Sequence, residues 1–120
     1  MEITFKETED NVLVVNLDGG VDSTTAKELN EALGKMVDAG FNRIVVDCSN
    51  LNFISSLGIG TLVTLHRRLK KRGGDVKLAC LYGTVWDVFK VSKLDLIFNI
   101  FDDVSRARLS FREKTPVDPR

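Results

Sequence analysis

Residues 43–72, RIVVDCSNLNFISSLGIGTLVTLHRRLKKR, change hydrophobic period part-way along, and that change decides the fold. Residues 43–48 form a nearly continuous apolar run, the pattern of a strand covered on both faces. From about Ser56 to Arg72 the period becomes helical, with Ile59, Leu62, Val63, His66 and Leu69 on one face. Residues 49–55 between them read as a loop. Gly73 and Gly74 stop the helix, and Arg67, Arg68, Lys70, Lys71 and Arg72 crowd its last turns, where the helix dipole favours cations.

The alternation extends in both directions. Residues 3–6 and 12–17 predict two strands joined by a polar hairpin turn, with Gly19 and Gly20 closing the second. Asp22 is a predicted N-cap for a helix whose stripe is Ala26, Leu29, Leu33, Met36 and Val37 and which ends at Gly40. Downstream come a strand at 76–81, a helix at 84–92, a short strand near 97–101 and a last amphipathic stretch from about Asp102. Strands alternating with helices predict an α/β domain with a mixed, mostly parallel sheet flanked by about four helices. The expected domain is 1–111, with 112–120, which holds Pro116 and Pro119, as a disordered tail.

Composition narrows the function. The 120 residues carry 17 Lys+Arg and 17 Asp+Glu, so neither a strongly basic nucleic-acid binder nor an acidic disordered chain describes the whole. The halves differ: residues 1–60 hold 4 basic against 10 acidic residues, and residues 61–120 hold 13 against 7. Interleaved elements are expected to mingle these halves in space. The basic cluster at 66–72 lacks aromatics and reads as a solvated helix end, so no nucleic-acid partner is expected. Cys48 and Cys80, both in apolar runs, predict buried reduced thiols. No signal peptide and no membrane helix is expected, which predicts a cytoplasmic protein without membrane insertion.

In an open α/β sheet, ligands and partners meet the loops at the carboxyl ends of the strands. Two such loops stand out, 19–22 and 50–60. The second places Ser55 and Ser56 at a helix start, followed by Gly58 and Gly60. A serine there can serve as N-cap. Alternatively, a phosphate on its hydroxyl lies against free helix N–H groups and the positive dipole end. The glycines lack side chains that would block a docking protein.

Enzyme readings fail on the same residues. A hydrolase elbow needs G-x-S-x-G, and the first glycine is missing here. His66 lies ten residues along the helix, roughly 15 Å away at 1.5 Å per residue, so it cannot serve as a base. It reads instead as a helix-surface or partly buried core residue. Asp47 resembles a receiver-domain phosphoacceptor, but the acidic pair that such domains carry after their first strand is absent. An Asx-type turn with Ser49 or Asn50 is expected there. Trp86 and Tyr82 read as structural. No catalytic residue, metal site or cofactor is expected.

Over residues 3–109 the sequence resembles the STAS family, in particular stand-alone bacterial anti-sigma factor antagonists. Gly19-Gly20-Val21-Asp22 is similar to the family's G-[ED]-[LIV]-D, and Leu51-Asn52-Phe53-Ile54-Ser55-Ser56-Leu57-Gly58-Ile59-Gly60 to its switch segment. The resemblance implies a binding module regulated by partner switching. An anti-sigma factor serine kinase is captured by the unphosphorylated antagonist, phosphorylates it and lets go, and a PP2C-type phosphatase resets it. By the family's D-S-x-G pattern the phosphoacceptor is Ser56, with Ser55 as the alternative, and the partner-binding face comprises Asp22, Ser55, Ser56, Leu57, Gly58 and Ile59. Ser55 stands where the family has aspartate, leaving Asp22 as the nearest carboxylate to shape the site. That departure favours the alternative implication, an unphosphorylated STAS subunit of a larger signalling or lipid-transport complex.

Overall fold

In the computed structural model, residues 1–112 are described. Five strands form one sheet in chain order: β1 (Glu2–Glu7), β2 (Leu13–Val21), β3 (Arg43–Ile54), β4 (Asp75–Ala79) and β5 (Asn99–Phe101). β1 pairs antiparallel with β2, and every later neighbour is parallel. The helices are α1 (Ser23–Asp38), α2 (Ser56–Lys71), α3 (Gly83–Val91) and α4 (Val104–Arg112), with a 3-10 turn at Leu94–Leu96 before β5. Each parallel strand lies beside its predecessor, so right-handed crossovers put α1, α2 and α3 on one face. α4 follows β5 and covers the other.

Strand alternation feeds both layers. Leu13, Val15 and Leu17 of β2, Ile44 and Val46 of β3, and Val76 and Leu78 of β4 join Leu29, Leu33, Leu62, Leu69 and Phe89 in the larger core. Val45, Ala79 and Phe101 point the opposite way and pack with Ala107 of α4. The α1 stripe is as predicted, with Met36 only partly buried at its edge. On α2 the buried residues are Gly58, Leu62, Leu65 and Leu69, whereas Ile59, Val63 and His66 lie half-buried beside them.

Two strands run further than their hydrophobicity predicts. Gly19 and Gly20 do not close β2. They continue it, opposite Leu51 and Phe53. Residues 49–54, expected as loop, are therefore strand, anchored by buried Leu51 and Ile54. The polar Ser49, Asn50 and Asn52 are exposed, and register shifts after Asn16 and Gly19 break the alternation that would have revealed the strand. Arg112, expected in a tail, closes α4, and 113–120 lie outside the described residues.

The two charge halves meet through Arg68 to Asp38 and Arg108 to Asp10, each at 3.2 Å. Lys70 adds a bond to Asp75 at 3.3 Å, and Arg72 donates to the Val37 carbonyl at 3.1 Å. The basic end of α2 is thus partly committed inside the fold.

Candidate functional site

The site begins where β2 and β3 end side by side. Ser55 N–H donates to the Val21 carbonyl at 2.7 Å, which pins the start of α2 to the start of α1. Each helix is capped from its own strand end. Asp22 Oδ1 accepts from Thr24 N–H at 2.9 Å and Thr25 N–H at 2.8 Å, and Thr25 Oγ1 accepts from Asp22 N–H. The hydrogen bonds from Thr25 hold the Asp22 carboxyl below the usual carboxylate range. Its Oδ1 is therefore engaged in capping α1.

The two serines have separate tasks. Ser55 is the N-cap of α2, and its Oγ accepts from Gly58 N–H at 3.2 Å. Ser56 is the first helical residue. It is exposed, and its hydroxyl has no hydrogen-bond partner among the described residues. Leu57 beside it is 59% exposed.

The glycines also divide. A Cβ on Gly58 would sit 2.7 Å from Val21 Cγ1 and 2.8 Å from Ile54 Cγ1. Gly58 is buried, and it lets α2 approach the ends of β2 and β3 rather than clearing space for a partner. That open space lies at Gly60, where a Cβ would meet nothing within 4 Å. Gly60 borders a groove of about 370 Å³ between α1 and α2, with Ser23, Ala26, Lys27, Leu57 and Thr61. Ile59 is half-buried against the core and contributes less surface.

Residues not singled out from sequence extend the same end. Phe53 is 53% exposed and forms an apolar cleft of about 220 Å³ with Thr84 and Val88 of α3. The shift at Gly20 throws Phe53 outward, and Gly20 is its partner in the pairing. Tyr82, which reads as structural in the sequence, is 49% exposed at the start of α3 and makes no side-chain cap. Trp86 is partly buried, with Lys90 Nζ 5.2 Å from its ring centroid.

The residues weighed for catalysis are engaged elsewhere. His66 Nε2 lies 3.8 Å from Asp75 Oδ1, and its ring meets Phe98 edge-on at 5.4 Å. Asp47 Oδ1 accepts from Ser49 N–H at 3.0 Å, the expected Asx contact, and Oδ2 accepts from Asn16 at 3.1 Å. Cys48 is buried and burial pushes its thiol pKa far up. Cys80, predicted buried, is only half-buried: its φ of 66° turns it out of the β4 alternation toward the α4 face. Burial, with Asp47 beside it, raises that thiol too. Among the described residues no three His, Cys, Asp or Glu side chains gather to hold a metal ion.

The family model for the STAS domain matches residues 4–107. The chain belongs to the STAS family. BtrV of Bordetella bronchiseptica, described as a candidate anti-sigma factor antagonist, is 31% identical over 97% of this chain and 99% of its own length. A candidate anti-sigma factor antagonist from Thermotoga maritima shares the fold at TM-score 0.87 and 22% identity, over 92% of this chain and 95% of that one. The phosphorylated form of the Bacillus cell-fate determinant SpoIIAA superposes at TM-score 0.69 and 19% identity, over 87% and 95%. This STAS domain thus falls among the anti-sigma factor antagonists, whose named members are regulators. No helix among the described residues is long and apolar enough to cross a membrane.

Proposed function

We propose that this STAS domain is a partner-switching antagonist that captures an anti-sigma serine kinase at the carboxyl end of its sheet. Phosphorylation of Ser56 ends the capture, and a PP2C-type phosphatase restores it. The observation that carries the reading is the division of labour between the serines: Ser55 Oγ caps α2 while Ser56 Oγ is exposed and unengaged. The apolar surface of Leu57 and Phe53 beside it supports docking. A phosphate adds about −1.5 to −2 charges. On a chain of formal net charge +0 it puts a dianion amid apolar contacts that must desolvate on binding. The phosphorylated form of a structural neighbour lends the reading support by analogy.

The test is incubation with purified anti-sigma serine kinases and Mg-ATP, followed by intact-mass measurement. One phosphate is expected on wild type and on Ser55→Ala, and none on Ser56→Ala. Stoichiometric phosphate on Ser56→Ala overturns the assignment. Ser56→Asp should weaken kinase binding at least tenfold. The serine at position 55, where the family has aspartate, favours a second reading, an unphosphorylated interaction subunit of a larger signalling or lipid-transport complex. A stable kinase complex that takes up no phosphate would select it.

A further inference from the structure

β1 lies at an edge of the sheet, and among the described residues no strand pairs with its outer side. Six residues of unpaired backbone form a ready template for a further strand. β5, at the opposite edge, has only three residues.

The hairpin decides which groups face outward. Thr8 N–H donates to the Val12 carbonyl at 2.9 Å, one step beyond the pairing of Glu7 with Leu13 and in the same register. Backbone groups alternate along an antiparallel strand, so Glu2, Thr4 and Lys6 bond to β2, while Ile3, Phe5 and Glu7 turn their N–H and C=O outward. The side chains alternate as well. Glu2, Thr4 and Lys6 are exposed on one face, and Ile3 and Phe5 lie half-buried against the larger core on the other.

This strand is complementary to itself when reversed about Thr4. Ile3 then stands opposite the second copy's Phe5, and Glu2 opposite its Lys6, each pairing occurring twice by symmetry. Ile3 and Phe5, which face outward, exchange both of their backbone hydrogen bonds. Glu2 and Lys6 fall on the close, non-hydrogen-bonded positions, with Cα atoms about 4.5 Å apart. Neither has an ion partner among the described residues. Within one copy Glu2 stands opposite Asp18, a like-charge pair, so the incoming lysine also offsets a repulsion already present.

The same side chains reject neighbouring registers. A two-fold at Phe5 sets Ile3 against Glu7, and one at Ile3 sets Glu2 against Thr4 and loses both ion pairs. A two-fold at Glu2 or Lys6 brings like charges face to face. Charged residues that guard the edge against most strands thus admit one partner in one register.

We propose that two copies of this chain associate through β1, antiparallel about Thr4, to form one continuous sheet. The shared edge is short, which places the dimer among weak, transient interfaces. The two-fold reverses β3, so the two Ser56 sites point from opposite ends of the joined sheet and both stay open.

The test is sedimentation equilibrium of the full chain from about 10 μM to 1 mM. The mass is expected to rise from 13.4 kDa toward twice that value, with a dissociation constant on the order of 100 μM. Glu2→Lys and Lys6→Glu should each weaken association at least tenfold, and the double reversal should restore it to within about threefold. Both positions are exposed, so circular dichroism should not change. Ser56→Ala should dimerise as wild type. Thr4→Cys should cross-link in air, because Cα atoms about 4.5 Å apart lie within disulfide reach. Glu2→Cys, whose two copies stand roughly 13 Å apart at about 3.3 Å per residue, should not. Four results each overturn the proposal: a monomer at 1 mM, which leaves the edge to a strand of another protein; a dimer that the single reversals leave unchanged; a loss that the double reversal fails to restore; or equal cross-linking of the two cysteine variants.

Discussion

Replacing Gly58 and Gly60 in turn by alanine separates packing from propensity within one helix turn. Neither glycine has a positive φ, so alanine strains no backbone. At Gly58 the new methyl would fall 2.7 Å from Val21 Cγ1 and 2.8 Å from Ile54 Cγ1. Val21 is 0% exposed and Ile54 7%, so neither side chain has room to swing away. Overpacking of this kind costs about 1–3 kcal/mol, against a gain of up to about 1 kcal/mol from the better helix former. With that gain in full, the net expectation is a loss of up to about 2 kcal/mol. Gly60 meets nothing within 4 Å, so Gly60→Ala should gain about 0.5–1 kcal/mol. In urea unfolding the two variants should move in opposite directions, with midpoints roughly 1 M apart and unchanged slopes. A stabilised Gly58→Ala protein would refute the close-approach account. The same pair tests docking: the methyl at Gly60 enters the groove between α1 and α2, so that variant should be more stable yet bind the proposed kinase partner more weakly.

Burial of Lys77 beneath α4, with Phe111 4.3 Å from its Nζ, lowers its pKa. The unfolded chain therefore binds the extra proton over a window just below the ordinary lysine value of about 10.4, and this residue's contribution makes stability rise with pH there. Lys77→Met should abolish that rise; because both thiols titrate identically in the two proteins, the wild-type-minus-variant difference in urea midpoint from pH 8 to 10.5 isolates it. A flat difference would show the ammonium to be solvated. In thiol labelling of the native protein, Cys80 should react first and more slowly than free cysteine, while Cys48 should wait for unfolding; simultaneous labelling of both would contradict the burial of Cys48.

The element order was legible because each strand's apolar run and each helix's stripe agree with the layer they enter. What escaped was local. Residues 49–54 look like a loop because two of their four partners are Gly19 and Gly20, which carry no hydrophobic signal of their own, and because the register shifts break period two. The same shifts hide Phe53, which ends exposed where simple alternation with Leu51 would bury it. The tandem serines were recognisable as a helix start. Which hydroxyl caps and which remains exposed depends on a one-residue choice of helix boundary that Val21 makes through its bond to Ser55 N–H. The cleft that Arg43 and Arg112 line together could not be read at all, since the two lie 69 positions apart in sequence. Only the placement of α4 across the sheet joins them.

A sheet whose strands lie in chain order has a consequence for its birth as well as its shape. As the chain leaves the ribosome, each new strand finds its edge already exposed by the strand before it. No strand has to slip between two that have already paired. Every crossover closes a loop of one helix, so the entropy lost at each step stays small. The domain can thus be assembled by accretion, one βα unit after another, with α4 sealing the second face last.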